Sequence, residues 1–352
     1  MTSTVAIVVR TKDRPKFLAR ALKDISEQTF QDFQVCIVND GGDRERAEQV
    51  LALSPLASRA QIIHTEGLGM EAASNVGIRA TDSTYICIHD DDDLWDPRFL
   101  EVSVQALDAS DAYLSSVRVV QRFERETPDG FELERTEILH GDIHQFGLHY
   151  LTRTNRAVPI GVMYRRSLHE LIGYYDESLP VVGDWEFNIR AAQVAEILVI
   201  NEPLAYWCIR PQASGATANS ISRPDEHRFY DSRVRDEALR AYIAQLAPPT
   251  GSPAGKDGTR PHLAALAPLL TQAHYANELD GGIAHSHQLS RDILERLDRL
   301  NERLDALEHQ LNSGASRLEV LEERTGHDSV RLARLEHNLS WRGKLQRLFR
   351  RL

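Results

Sequence analysis

Short apolar runs alternate with amphipathic ones over the first third of the chain. Residues 5–9 form an apolar, β-branched run of the kind a strand buried on both faces requires. Pro15 then opens a helical pattern with apolar positions at Phe17, Leu18, Ala21, Leu22 and Ile25. A second strand is expected over 33–38, closed by Asn39-Asp40-Gly41-Gly42, and a helix over Arg44–Leu53. A strand over 61–64, a helix over Met70–Arg79 and a strand over 85–89 continue the series. This alternation predicts an α/β domain with a mostly parallel sheet and helices on both faces. In such sheets ligands bind beyond the carboxyl ends of the strands. Thr11, Asp13, Asp40 and the run Asp90-Asp91-Asp92-Asp93 all fall at such ends and should gather along one edge.

The pattern is less regular over 111–215. Residues 117–123 and 197–200 read as strands, and 164–172 and 185–195 as helices. A further helix is expected over 226–247, followed by a Pro/Gly/Ser-rich linker over 248–261. Beyond 283 the period changes. Leu297, Leu304, Leu311, Leu318, Leu332 and Leu339 share one seven-residue register, and Ile293, Leu300, Leu307, Leu321 and Leu335 share its companion. These are the a and d positions of a coiled coil over 283–340, which implies a homo-oligomer. Its register breaks at Gly314, Thr325 and Asp328 and resumes in phase, which favours a continuous rod over a hairpin folded at Ser313-Gly314-Ala315-Ser316. Residues 341–352 form a basic amphipathic tail with Trp341, Leu345, Leu348, Phe349 and Leu352 on one helical face. Such an end suits an anionic membrane surface, or completes helix packing in the oligomer. The organisation expected is therefore an α/β domain over 1–225, a helical segment with its linker over 226–282, the coiled coil and the tail.

Composition narrows the class. The 352 residues are 42% hydrophobic and carry a net charge of −11, which supports a real core and argues against nucleic-acid binding by the whole chain. Three cysteines without CxxC spacing read as reduced thiols of a cytoplasmic protein. The histidine pairs His140/His144 and His285/His287 lack the partners of a zinc site. The N-terminus reads as a first strand rather than a signal peptide, and no segment approaches the ~20 apolar residues of a membrane span.

The acidic run carries the first chemical hypothesis. Consecutive carboxylates at the end of a buried strand repel one another and are costly to keep ionised without a cation. A hard divalent ion relieves that cost, because Mg²⁺ or Mn²⁺ takes one or two carboxylates and completes its shell with substrate phosphates. The same run also fits an acidic turn ahead of a helix, with Asp93 or Asp96 as cap and Pro97 in the first turn.

Taken in order, several segments resemble the family 2 glycosyltransferases. They are Thr11-Lys12-Asp13-Arg14-Pro15, Val38-Asn39-Asp40-Gly41-Gly42, Gly69-Met70-Glu71-Ala72-Ala73-Ser74-Asn75-Val76-Gly77 and the acidic run, then Gly173-Tyr174-Tyr175-Asp176 and Gly183-Asp184-Trp185-Glu186. The resemblance spans residues 4 to 215 and implies a GT-A nucleotide-diphospho-sugar transferase fold. It further implies inverting transfer of a sugar from a UDP-, dTDP- or GDP-sugar, aided by Mn²⁺ or Mg²⁺. It makes Asp184 the catalytic base, with Glu186 as fallback, and Asp92 the metal ligand with Asp90 and Asp93 close by. Asp40 would contact the nucleobase, or form a turn. Thr11, Asp13, Arg14, Asn75, Asp90, Asp91 and Arg210 would bind the donor.

Departures from the family pattern are informative. Ser74 stands where an arginine commonly precedes the asparagine, and Gly183 where an acidic residue often precedes the base. Ile209-Arg210-Pro211-Gln212 replaces a Tyr-Arg-x-His pattern, which leaves more of the phosphate contact to Arg210. The coiled coil ending in Ser340-Trp341-Arg342 is similar to that of bacterial surface-polysaccharide transferases. A lipid-linked or glycan acceptor at the inner membrane face is then expected. Two other readings stand beside this one: a non-catalytic coiled-coil scaffold with a degenerate donor-binding domain, and a sugar nucleotidyltransferase. The latter needs a glycine-rich loop that Thr11-Lys12-Asp13-Arg14-Pro15 does not supply.

Overall fold

The computed structural model describes residues 3–246, apart from 129, 141–145, 153, 154, 156, 214, 216–218 and 220–222. The linker over 248–261, the coiled coil and the basic tail lie outside the described residues. Met1–Tyr242 forms one compact unit, described below.

Its first half follows the hydrophobic pattern closely. Strands β1 (Ser3–Thr11), β2 (Phe33–Asp40), β3 (Ala60–Thr65) and β4 (Ser83–Asp90) alternate with helices α1 (Pro15–Ser26), α2 (Arg44–Leu53) and α3 (Met70–Arg79). The four strands are parallel, in the order β3-β2-β1-β4. Alternate residues of β1 serve opposite faces. Val5, Ile7 and Val9 join a core with Leu18, Leu22 and Ile25 of α1, and Val8 joins a second core with Ala73 and Ile78 of α3. Both faces of the sheet are therefore covered.

The second half contains β5 (Leu94–Trp95), α4 (Phe99–Asp108), β6 (Leu114–Thr127), β7 (Gly130–Ile138), α5 (Leu148–Leu151), β8 (Val162–Arg165), α6 (Leu168–Ile172), α7 (Gly183–Val194), β9 (Ile197–Ile209) and α8 (Pro224–Leu246). The sheet continues past β4 through β8, β6, β9 and β5, with β7 paired to β6. Here the expectation of a mostly parallel sheet is corrected. The β6–β9 pair is parallel, but β4–β8, β6–β8, β6–β7 and β5–β9 are antiparallel. The helix expected over 164–172 also divides. Tyr164 pairs with Ile86 on one side and Leu114 on the other, so sheet pairing claims it, and the helix begins only at Leu168. The structure is a mixed α/β fold. Among the described residues no helix is long and apolar enough to cross a membrane.

Helix α3 lies tight against the sheet at Gly77. A Cβ there would sit 2.4 Å from Cγ1 of Val8, which is fully buried. Gly77→Ala gains about 1 kcal/mol of helix propensity, but overpacking this contact costs about 1–3 kcal/mol. The urea midpoint of the variant should fall. A rise would show that helix and strand are not in close contact.

Candidate functional site

The parallel register sets Arg10 of β1 directly beside Asp90 of β4. Its guanidinium closes a two-pronged contact, Nε donating to Asp90 Oδ1 and Nη2 to Oδ2, each at 2.8 Å. Nη1 donates to Ser74 Oγ at 3.2 Å and lies 3.8 Å from Glu71 Oε2. Arg10 is 8% exposed, so these partners stand in for water. A charged residue at the end of an otherwise apolar strand was the available signal for it in the sequence.

The rest of the acidic run is compensated in the same way, by chain segments that are distant in sequence. Asp91 is fully buried; Thr11 Oγ1 donates to its Oδ2 at 2.6 Å, and Arg14 pairs with its Oδ1 at 2.6 Å. Asp92 Oδ2 receives Arg14 and Asn219 at 3.2 Å each, and pairs closely with Arg210. Arg210 also pairs with Glu124 of β6, which Arg20 of α1 holds from the other side. Asp93 turns away and accepts the Cys208 N–H at 2.8 Å. Burial pushes the Asp91 carboxyl up to about 7, against the pull of Arg14, and pushes Asp93 well above the usual carboxylate range.

Asp184 is the second residue of α7, with its carboxylate near the helix N-terminus. Asn155 Nδ2 donates to its Oδ2 at 2.6 Å. Burial raises the Asp184 carboxyl above its ordinary value, outweighing Asn155, the Trp185 N–H and Arg10. The preceding Val182 has φ 61°, a left-handed conformation that a β-branched side chain resists at a cost on the order of 1–3 kcal/mol. A cavity of about 450 Å³ opens here, lined among others by Arg10, Glu71, Asp90, Asp93, Asn155 and Asp184. Asp184 and two residues of the acidic run, Asp90 and Asp93, nearly a hundred residues apart in sequence, thus share one cavity.

Other expected donor residues stand outside its wall. Asp40 holds the loop ahead of α3: Thr65 Oγ1 and the Leu68 N–H donate to Oδ1, and the Gly69 N–H to Oδ2. Partial burial pushes the Asp40 carboxyl up, but these bonds and Lys12 together keep it below its ordinary value. Asp13, at φ 53°, accepts the Asp43 N–H at 2.8 Å and ties the β1 and β2 loops together. Arg14 lies under the acidic run. Asn75 is fully buried, donates to Tyr175 O and Glu177 Oε1, and accepts the Tyr175 N–H, so it clasps α3 to the 173–179 loop. Thr11 donates to Asp91, and Asp93, which is in the wall, accepts the Cys208 N–H. Arg210, 4% exposed, grips Asp92 and Glu124 and does not project into the cavity. Glu186, the fallback base, is held by Arg190. Sequence reasoning missed Glu71 and Asn155: an acidic residue in a first helical turn reads as ordinary dipole complementation, and Asn155 sits in the irregular middle of the chain.

The donor set suits a hard cation in one respect. Asp90 lines the cavity with its side chain a quarter exposed, and Mg²⁺ needs only one or two carboxylates besides substrate phosphate. Among the described residues no group of three or more His, Cys, Asp or Glu side chains is arranged to hold an ion by itself.

The mixed α/β sheet thus gathers acidic groups at the ends of its strands. Residues 6–172 match the profile of Glycosyl transferase family 2. The uncharacterized glycosyltransferase YwdF of Bacillus subtilis is 32% identical over 193 residues, 54% of this chain and 68% of YwdF. EpsJ of the same organism is 25% identical over 60% of this chain and 63% of its own length. GlyG of Streptococcus pneumoniae is 29% identical, and the chain spans 38% of it. Among solved structures, S. aureus TarS 1-349 in complex with UDP-GlcNAc shares the fold at TM-score 0.50 and 16% identity, over 72% of this chain and 69% of that one. The chain belongs to the family 2 glycosyltransferases.

Glu71 offers a test of the site's electrostatics. Burial, with Asp184 and Asp90 nearby, lifts its carboxyl from 4.5 to about 8, although Arg10 opposes the shift. The folded protein then keeps a proton that the unfolded chain releases, so stability should fall as pH rises from about 4.5 to about 8. Thermal melting of Glu71→Gln should decline less over this window than that of the wild type. Parallel pH profiles would contradict the buried, proton-holding carboxyl.

Proposed function

We propose that the protein transfers a sugar, with inversion, from a nucleoside-diphosphate donor to a hydroxyl of a glycan or lipid-linked acceptor. The observation that carries this reading is the shared cavity, where Asp184 faces Asp90 and Arg10. Asp184 takes the acceptor hydroxyl's proton as that oxygen bonds to the anomeric carbon. The bond from that carbon to the diphosphate breaks on the opposite side, and its electron pair leaves with the nucleoside diphosphate. A carboxylate whose proton affinity is raised by burial is a better base for this step. Asn155 fixes its orientation.

Asp90, exposed in the cavity, would hold Mg²⁺ or Mn²⁺ together with the donor phosphates, with Asp92 next to it in the run. The ion would supply charge neutralisation for the departing diphosphate. Arg10 and Arg14 keep these carboxylates in place. Asp40 sits at the end of β2, where a nucleobase would lie; its Oδ2 accepts one hydrogen bond within the protein and retains a lone pair for a ring N–H. TarS, which shares the fold, binds UDP-GlcNAc, so UDP-sugars are the first donors to try. The heptad repeat over 283–340 supports an oligomer, and the basic tail over 341–352 supports binding at an anionic membrane, where surface-polysaccharide acceptors are built.

Asp184→Asn tests the reading. It should abolish transfer, a loss of at least ~10²-fold for a missing general base, while calorimetry shows donor affinity unchanged. Wild-type turnover by this variant would remove Asp184 from the mechanism.

A further inference from the structure

Glu71 is a carboxyl in the cavity wall that the mechanism above does not use. It lies in the first turn of α3 and is 4% exposed, yet its Oε2 has no hydrogen-bond partner. The guanidinium 3.8 Å away is already committed to Asp90 and Ser74. The side chain occupies space that Gly183, the residue before the base, leaves open. A Cβ on Gly183 would lie 2.5 Å from Glu71 Cδ and 2.6 Å from Oε1. Position 183 can therefore carry no side chain while Glu71 keeps its place. A carboxyl reaches the neighbourhood of Asp184 from another helix, through a gap in α7 shaped to admit it.

Buried polar groups are nearly always hydrogen-bonded, and one left without a partner in the wall of a ligand cavity calls for a ligand to complete it. We propose that Glu71 hydrogen-bonds a sugar hydroxyl of the bound substrate beside Asp184 and orients it for transfer. This rests on the transfer reaction proposed above. The hydroxyl belongs to the donor sugar or to the acceptor, whose chemistry here is the same. Near neutrality the carboxyl holds a proton, so it can donate to a hydroxyl oxygen as well as accept from a hydroxyl. Glu71 moves no proton in the reaction.

The experiment compares the wild type, Glu71→Ala, Glu71→Gln, Gly183→Glu and the double variant Glu71→Ala/Gly183→Glu. The probes are UDP-, dTDP- and GDP-sugars with octyl glycosides as acceptors, using the pair that the wild type turns over. Glu71→Ala should lower kcat/KM about tenfold or more, the worth of one good substrate hydrogen bond. Glu71→Gln, which keeps the shape and the hydrogen-bonding capacity, should recover most of it. Gly183→Glu alone should be impaired by overlap. The double variant, which returns a carboxyl from the adjacent backbone position, should exceed Glu71→Ala. A loss shared by donor hydrolysis without acceptor assigns the contact to the donor; a loss seen only in transfer, with a raised acceptor KM, assigns it to the acceptor. Wild-type kinetics for Glu71→Ala would overturn the inference. So would equal losses in Glu71→Ala and Glu71→Gln with no recovery in the double variant, which would mark a purely structural role. Absence of any transfer or hydrolysis by the wild type would instead overturn the transferase reading, and this inference with it.

Discussion

The neutralisation of the acidic run by arginines from separate parts of the chain is the constraint on which the rest of the structure depends. Asp90 meets Arg10 from β1, Asp91 meets Arg14 from the entry to α1, and Asp92 meets Arg14 and Arg210, the latter from just beyond β9. Glu124 of β6 ties Arg210 to Arg20. Removing one partner from such a buried pair leaves an uncompensated charge, which costs about 3–5 kcal/mol. The network therefore locks the parallel half of the sheet to the mixed half. It also places the exposed face of Asp90 in the same cavity as Asp184.

Much of the parallel half was legible in the sequence because its signals are local. Residues 5–9 and 33–38 are short apolar runs, and the helices expected from Pro15 and from Arg44 begin at those residues. The mixed half was harder to read, because its strands are defined by partners far along the chain. Tyr164 looks helical among its neighbours and becomes a strand residue only through pairing with Ile86 and Leu114. At the site, positions proved more legible than partners. The sequence placed Asp40, the acidic run and Asp184 at element ends, and they are there. It did not show that Asn75 would be fully buried or that Arg210 would be turned under Asp92, since both outcomes depend on contacts about a hundred residues distant.

Two of the three departures from the family pattern, Ser74 and Gly183, have charged neighbours in space. Ser74 stands where an arginine is common in the family pattern, and the guanidinium of Arg10 reaches over from β1 to bond its hydroxyl. Gly183 replaces an acidic side chain, and Glu71 of α3 occupies the room beside it. In each case a charged side chain from another element lies against the uncharged position. The strain at Val182 lies at this same point, where α7 must start abruptly to bring Asp184 into the wall.

We propose that this edge of the sheet binds a nucleoside diphosphate together with a divalent ion. A calorimetric titration of the full chain with UDP, dTDP and GDP, each with and without Mn²⁺, tests it most directly. The account requires saturable binding of at least one nucleotide, tighter with Mn²⁺ than without. No binding of any of the three, with or without the ion, would contradict it and favour a scaffold in which the sheet domain has lost its ligand.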